Sequence, residues 1–135
     1  GDSIYKMAMK WVKKKWNGNK GKGSKYFTST YKGELHELRE QLNSNQSKDR
    51  KVALMRVVGA MTIGKDMSSL FTDVLKCVGT NHIEHKKLVY LYLVHYASRH
   101  DELVVLVVNT LVTDTRSHNA LIRGLALRTM SCIRV

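Results

Sequence analysis

The chain has 135 residues, a formal net charge of +12 and no proline. This length suits a single domain with a sizeable core, and the charge favours an anionic partner such as nucleic acid, an anionic membrane or an acidic protein. No stretch has the pattern of a signal peptide or the roughly 20 apolar residues of a membrane span, and Cys77 and Cys132 fall in apolar helical patterns typical of buried thiols in a reducing compartment.

The first 24 residues are predicted to be a basic extension and linker, before a folded region over residues 25–135. Residues 1–25 contain eight lysines and one acidic residue, which is more than half of the net charge. As a helix, residues 1–16 would be amphipathic and basic, a pattern that fits an anionic membrane or a calmodulin-like groove. The alternative is a disordered basic tail. Residues 17–24 are rich in Gly, Asn and Lys, as in flexible linkers.

Six helices follow from the apolar periodicity and from the turn residues between the apolar stretches. The predicted caps are Ser47 or Asp49 for the second helix, Ser68 or Ser69 for the third, and His118 or Asn119 for the sixth. The helices are expected at about residues 32–43, 48–62, 68–78, 82–100, 101–112 and 118–135.

The fourth predicted helix is the most apolar part of the chain. Residues 86–97 form a nearly continuous apolar run without Gly or Pro. A helix that is apolar on almost all sides is a buried one, packed among other helices. We therefore expect Leu91 and Leu93 to be buried.

An internal repeat supports a layered helical array. Lys51, Lys87 and Arg123 each open an apolar run, and they are spaced 36 residues apart. A fixed step with two helices per unit is typical of an α-solenoid. The predicted fold is all-α, a right-handed α-α superhelix of the HEAT or armadillo kind, with about six helices in three antiparallel pairs. No polar capping helix closes the array, so the chain is expected to be a fragment of a longer solenoid.

No catalytic or metal-binding arrangement stands out. His82 and His85 have the spacing of two ligands on one helical turn, but a catalytic zinc needs a third protein ligand and no companion motif supplies one. We expect no enzyme activity, metal or cofactor. The charge keeps a basic helical-repeat module that binds nucleic acid as the alternative function, although the chain lacks a helix-turn-helix signature and an aromatic-basic stacking strip.

Two surface features are candidate binding sites. The second helix carries a basic cluster, which is either a solvated face or a docking site for anionic lipid headgroups; it comprises Lys48, Arg50, Lys51 and Arg56. The fifth helix is apolar at every position from 103 to 108. Positions 103, 106, 107, 110 and 111 form the stripe expected to face the array, which leaves Val105 and Val108 on an edge outside it. This edge is either a small apolar patch for a partner or surface that the next repeat of a longer solenoid would cover.

Several motifs in order resemble the N-terminus of the β-adaptin family. They are Lys25–Thr28, Lys32–Leu35, Ala60–Phe71, Lys86–Leu93, Val108–Thr110 and Leu121–Met130. The resemblance covers residues 25–135 and implies an α-solenoid trunk in the large subunit of a clathrin-associated adaptor complex. Such a scaffold acts in vesicle-mediated protein transport, in the cytoplasm and peripherally on coated vesicles of the Golgi, endosomes or plasma membrane. The implied partners are the other adaptor subunits, with clathrin bound only through regions that are not in this sequence.

The resemblance also implies roles for individual residues. Tyr26 and Phe27 match aromatic residues that plug the pocket for acidic dileucine cargo. Val105 and Val108 match a surface that docks an Arf-type small GTPase. The family's phosphoinositide-binding cluster matches less well, because the family has lysines where this chain has Gln46 and Ser47. Binding to an anionic membrane would therefore depend on the basic cluster of the second helix.

Overall fold

The computed structural model describes residues 31–131 and residue 133. The chain divides into two compact units, with the boundary between Cys77 and Val78, and each unit is described by itself. The described residues contain no strand and form six α-helices: α1 (Tyr31–Leu42), α2 (Ser47–Thr62), α3 (Phe71–Lys76), α4 (Ile83–Ala97), α5 (Asp101–Asp114) and α6 (Ala120–Met130). The predicted all-α class and the six helices are confirmed, and the right-handed superhelix stays a prediction.

In the first unit, α1 packs on α2 and also contacts α3. Leu38 and Leu42 lie one turn apart on α1 and are buried, as Leu54 and Val58 are on α2. On α1 this i, i+4 spacing gives one apolar stripe, whereas α2 is buried on nearly all sides from Val57 to Met61. Burial of these apolar side chains stabilises the first unit.

The third helix is shorter than predicted. Ser68–Leu70 forms a 3-10 turn, and α3 begins only at Phe71. The Ser68 amide donates a hydrogen bond to Asp66 Oδ1 at 3.0 Å, so Asp66 holds the turn and neither predicted serine caps α3. A second 3-10 turn, Cys77–Gly79, replaces the expected last helical turn.

Of the N-caps predicted for α2 and α6, the one for α6 is confirmed. Asn119 is the N-cap of α6, because its Oδ1 accepts the Leu121 amide at 2.9 Å. The prediction for α2 is wrong: Gln46 occupies the N-cap without a side-chain bond, and the Ser44 hydroxyl accepts the Gln46 amide at 3.1 Å. That bond satisfies the amide of the N-cap residue itself, before the first residue of the helix, and the N-cap side chain makes no capping bond to the first turn of α2.

In the second unit, α4, α5 and α6 contact one another. Leu91 and Leu93 are both buried, which confirms the prediction for the apolar run. The run is a helix despite its Val and Tyr content, and it ends at Ala97 with Ser98 as the C-cap.

A basic side chain ties each of α2, α4 and α6 to the turn before it. The residue four positions beyond the N-cap donates to a backbone carbonyl of that turn in all three cases. The bonds are Arg50 Nη1 to Ser44 O at 2.7 Å, Lys86 Nζ to Val78 O, and Arg123 Nη1 to Ser117 O at 2.8 Å. Arg50, Lys86 and Arg123 are therefore the structurally equivalent residues, spaced by 36 and then 37 positions. The sequence repeat aligned Arg123 with Lys51 and Lys87, which is one residue away from this equivalence.

Candidate functional site

The outer face of α5 carries the first predicted docking surface. Val105 is 65% exposed and Val108 is half-buried, whereas Val107 and Leu111 are fully buried. The side of α5 that packs on α4 and α6 is thus centred on positions 107 and 111. Val105 lies nearly opposite this side, because 200° of helical rotation separates it from Val107.

The prediction for Leu106 is wrong. The helical periodicity predicts Leu106 on the buried stripe, but this residue is 46% exposed. With the buried side centred between Val107 and Leu111, Leu106 falls about 120° away from that centre, outside the packed side, and Val105 falls about 140° away in the other direction. Sequence reasoning assigned it to the core because every position from 103 to 108 is apolar, so the hydrophobic pattern did not mark the buried side.

Residues beyond the predicted pair share the exposed face. Val112 is 36% exposed and lies one turn after Val108. Asp101 and Glu102 are exposed in the first turn of α5, where acidic side chains favour the positive end of the helix dipole. The signal that sequence reasoning missed is the spacing of Asp101, Val105, Val108 and Val112, which follow one another at four, three and four residues.

The basic cluster of α2 is only partly on the surface. Lys48 is exposed, Lys51 is half-buried, and Arg50 is half-buried with its bond to the Ser44 carbonyl. Arg56 is 6% exposed, and its Nη1 donates to Glu37 Oε1 and Gln41 Oε1, both at 3.0 Å. Arg56 therefore serves contacts between α2 and α1, and the structure does not bring it to the surface with the other three.

A cavity of about 560 Å³ in the second unit was not predicted. Its walls come from the turn before α4, the end of α5 and the start of α6, and they include Thr80, Lys86, Asp114 and Asn119. Most of its lining residues are polar and scattered over four segments of the chain. No local motif joins them, so a pass along the sequence has no signal for it.

An ionic cluster forms one wall of this cavity. Lys86 Nζ lies 2.7 Å from Asp114 Oδ2, and the Tyr90 hydroxyl donates to the same oxygen. Burial raises the pKa of Tyr90 above its ordinary value of 10, and the hydrogen bond to Asp114 and the charge of Asp114 add to this. The Tyr90 hydroxyl therefore keeps its proton at neutral pH and donates it to this carboxylate.

The remaining predicted residues have simple outcomes. Tyr26 and Phe27 lie outside the described residues, as does Cys132, whereas Cys77 is a buried free thiol. The rings of His82 and His85 are 5.0 Å apart, and the described part of the chain contains no group of three His, Cys, Asp or Glu side chains placed to hold a metal ion. None of the described helices has the length and apolarity needed to cross a membrane.

Comparison with known proteins identifies a family to which the chain is similar. The model of the family described as "Adaptin N terminal region" matches residues 30–135. The chain is 52% identical over 112 residues to AP-1 complex subunit beta-1 of Mus musculus, covering 83% of this chain and 12% of that protein. It is 55% identical over 104 residues to AP-1 complex subunit beta-1 of Saccharomyces cerevisiae, covering 77% and 14%. It is 45% identical over 116 residues to AP-4 complex subunit beta of Dictyostelium discoideum, covering 83% and 14%. The chain thus spans about an eighth of the length of these relatives.

Proposed function

The chain belongs to the adaptin N-terminal region family, and from this premise we propose that it is part of a β-type large subunit of a clathrin-associated adaptor complex. It acts in vesicle-mediated transport as a scaffold that binds proteins and membrane, without catalysis. The observation that carries a binding function is the exposed apolar face of α5, with Val105 65% exposed. Exposed apolar patches often mark sites where a partner binds.

The occupant proposed for Val105 and Val108 is an Arf-type small GTPase in its GTP-bound form. The β-adaptin resemblance motivates this choice, and the apolar character of the face is compatible with it. Because α5 buries its other side through Val107 and Leu111, a change at Val105 alters the outer surface and spares the packed side. A loss of binding without a loss of stability is therefore the expected signature of a docking site.

The test is a pull-down of purified chain by immobilised Arf loaded with a non-hydrolysable GTP analogue or with GDP. Val105→Asp is expected to abolish capture by the GTP form while the melting temperature stays within about 2 °C of the parent. Capture by the GDP form is expected for neither protein. Retained capture of Val105→Asp, or loss of the fold together with the binding, would count against this docking site.

The other proposed partners are the remaining subunits of an adaptor complex. The relatives are named as subunits of AP-1 and AP-4 complexes; for this chain we propose a cytoplasmic complex, peripheral on Golgi, endosomal or plasma-membrane coated vesicles. Affinity purification of the tagged protein from its own cells tests this directly. Medium and small adaptor subunits in the eluate support the proposal, whereas ribonucleoprotein components without them would favour nucleic-acid binding instead.

Anionic lipid binding is proposed for Lys48, Arg50 and Lys51, without Arg56. Sedimentation with vesicles containing a phosphoinositide tests it. Lys48→Glu combined with Lys51→Glu is expected to reduce the bound fraction, since each cation near an anionic surface contributes on the order of 1 kcal/mol. Equal binding by the parent and the double variant would contradict this site. Residues 1–24 must be removed from both proteins, because their lysines would otherwise mask the difference.

The cargo-plug role of Tyr26 and Phe27 is proposed from the resemblance alone. In an assembled complex, Tyr26→Ser combined with Phe27→Ser should increase the affinity for an acidic dileucine peptide, because a plug competes with cargo for the pocket. An unchanged affinity would remove these residues from the proposal.

A further inference from the structure

The cavity of the second unit has a wall that carries opposite charges side by side. Lys86 and Asp114 both line the cavity, and their side chains are only 4% and 13% exposed. The ammonium of Lys86 uses two of its three N–H groups, on Val78 O and on Asp114 Oδ2. Within the part of the chain that the structure describes, Asp114 Oδ2 has two donors and Oδ1 has none. Because a carboxylate accepts at both oxygens, Asp114 keeps an unused acceptor at the cavity.

The turns before α4 and α6 supply the cavity with hydrogen-bond donors. The Thr80 hydroxyl accepts the His82 amide at 3.2 Å, so its proton remains to be donated. The Ser117 hydroxyl accepts the Asn119 amide at 3.2 Å, with the same consequence. Asn119 Oδ1 accepts the Leu121 amide, which leaves the Nδ2 amino group as the unused polar group of that side chain.

The unused groups of the cavity define the ligand that would satisfy them. Three side-chain donors come from the two turns, and one carboxylate oxygen comes from the end of α5. A simple anion would leave this carboxylate without a donor and lie close to its charge, and a simple cation would leave the three donors without an acceptor. A molecule that carries a carboxylate and an ammonium satisfies both sets. Val78 and Ile122 add apolar side chains to the same walls.

We propose that this cavity binds a free α-amino acid with an apolar side chain. The ammonium of the amino acid donates to Asp114 Oδ1, and its carboxylate accepts from the three side-chain donors of the turns before α4 and α6. Its apolar side chain lies along Val78 and Ile122. The cavity volume of about 560 Å³ is in the range of small-molecule pockets, roughly 300–1,000 Å³. This proposal is independent of the adaptor function, because the cavity shares no residue with the docking, lipid or cargo sites.

The first experiment titrates isotope-labelled full chain with L-leucine and follows the backbone amides by NMR. Saturable shifts are expected for Thr80, Asp114 and Asn119. The matched probes are the analogues of leucine that lack the amino group or the carboxylate group. Each should bind at least about tenfold more weakly than leucine, because it leaves a polar group of the cavity without its partner.

The second experiment uses Asn119→Asp, which separates ligand binding from the cap of α6. Aspartate caps a helix as well as asparagine does, so the fold is kept. The variant replaces the amino group by a carboxylate oxygen, which repels the carboxylate of the ligand. Leucine should therefore bind at least about tenfold more weakly. The matched control is Asn109→Asp, because Asn109 is exposed on α5 and does not line the cavity; this variant should bind leucine as the parent does.

The outcomes that would overturn the proposal are distinct. One is the absence of saturable shifts with leucine, and another is equal binding of either analogue, which would show that the cavity does not select a zwitterion. Unchanged leucine binding by folded Asn119→Asp would remove the cavity as the site. An equal loss with Asn109→Asp would show a general effect of charge and would also overturn it. The analogue series uses the parent chain, so the proposal is tested even if Asn119→Asp lowers the stability of the fold.

Discussion

Lys86 Nζ lies 2.7 Å from Asp114 Oδ2, with only 4% of the lysine side chain and 13% of the aspartate side chain exposed. Tyr90 donates to the same carboxylate oxygen, and Lys86 also donates to the Val78 carbonyl. The pair therefore connects α4, α5 and the turn before α4. Because the two charges are desolvated, each depends on the other for its stability.

Lys86→Met should lower the free energy of unfolding by about 3–5 kcal/mol, because it leaves a buried carboxylate without its cation. Combining it with Asp114→Leu should restore part of the loss, since the double variant leaves no unpaired charge. Urea denaturation of the parent, the two single variants and the double variant gives the coupling energy. Additive losses in the double variant would contradict the interdependence of the pair.

The sequence predicts the helices better than it predicts what their charged residues do. Apolar periodicity gave the six helices and the burial of Leu91 and Leu93, because burying apolar surface is the dominant favourable term and its pattern is local. Lys86 was assigned to the margin of an apolar run, and its partner Asp114 is 28 residues away. Such a pairing depends on how helices pack, which no local spacing encodes.

The candidate site was predictable to a similar extent. Val105 was expected outside the stripe that faces the array, and it is 65% exposed, in agreement with that position. Leu106 was assigned wrongly because a uniformly apolar segment gives no contrast between faces. Arg56 was assigned to a surface cluster from its neighbours in sequence, although α1 supplies two acceptors that hold it inside the unit. The family resemblance, not the spacing, supplied the identity of the proposed partner.

Arg56→Met should lower the free energy of unfolding by about 1 kcal/mol, which is a smaller loss than that expected for Lys86→Met. The variant removes the donor to Glu37, whose side chain is 51% exposed, so water can hydrogen-bond to this carboxylate in place of the guanidinium. The buried Nε of Arg56 has no hydrogen-bond partner, so its removal also removes an unsatisfied polar group. Urea denaturation measures the loss.

The same variant checks the assignment of the basic cluster. Sedimentation with phosphoinositide vesicles should give the same bound fraction for Arg56→Met as for the parent, because the guanidinium already serves α1. A reduced bound fraction for folded Arg56→Met would return this residue to the lipid site.

His95 should make stability depend on pH in the mildly acidic range. Burial, with a smaller contribution from the charge of Arg99, lowers the pKa of His95 below its ordinary value of 6.5. The unfolded chain therefore binds a proton at a higher pH than the folded chain does. The stabilising contribution is complete above about pH 6.5 and is lost as the pH falls from there toward the lower folded pKa.

His95→Gln should flatten this part of the profile, since glutamine does not titrate. The measurement is the urea midpoint at intervals between about pH 7.5 and pH 5 for both proteins. Parallel profiles would show that other groups cause the dependence.

Cys77 should be nearly inert toward alkylating reagents while the chain is folded. The side chain is buried, and its Sγ lies within hydrogen-bond distance of the carbonyl oxygens of Leu42 and Asp73, at 3.5 and 3.6 Å. Burial is the main cause that raises the pKa of this thiol above its ordinary value of 9.0; Asp73 raises it further and Arg50 opposes the shift. Because the thiolate is the nucleophile, the reactive fraction near pH 8 is smaller than for a free cysteine.

The measurement uses Cys132→Ser, in which Cys77 is the single remaining thiol of the two in the sequence. Iodoacetamide labelling followed by mass spectrometry should be slow in buffer and should reach the rate of a free thiol across the urea unfolding transition. Raising the pH from about 7 to 9 should accelerate native labelling by a larger factor than it accelerates labelling of a small thiol, because the folded pKa lies above that range and the thiolate fraction of Cys77 keeps rising where that of a thiol with a lower pKa levels off. Rapid labelling of folded protein at pH 7 would show that Cys77 is accessible and would contradict its place in the packed interior of the first unit.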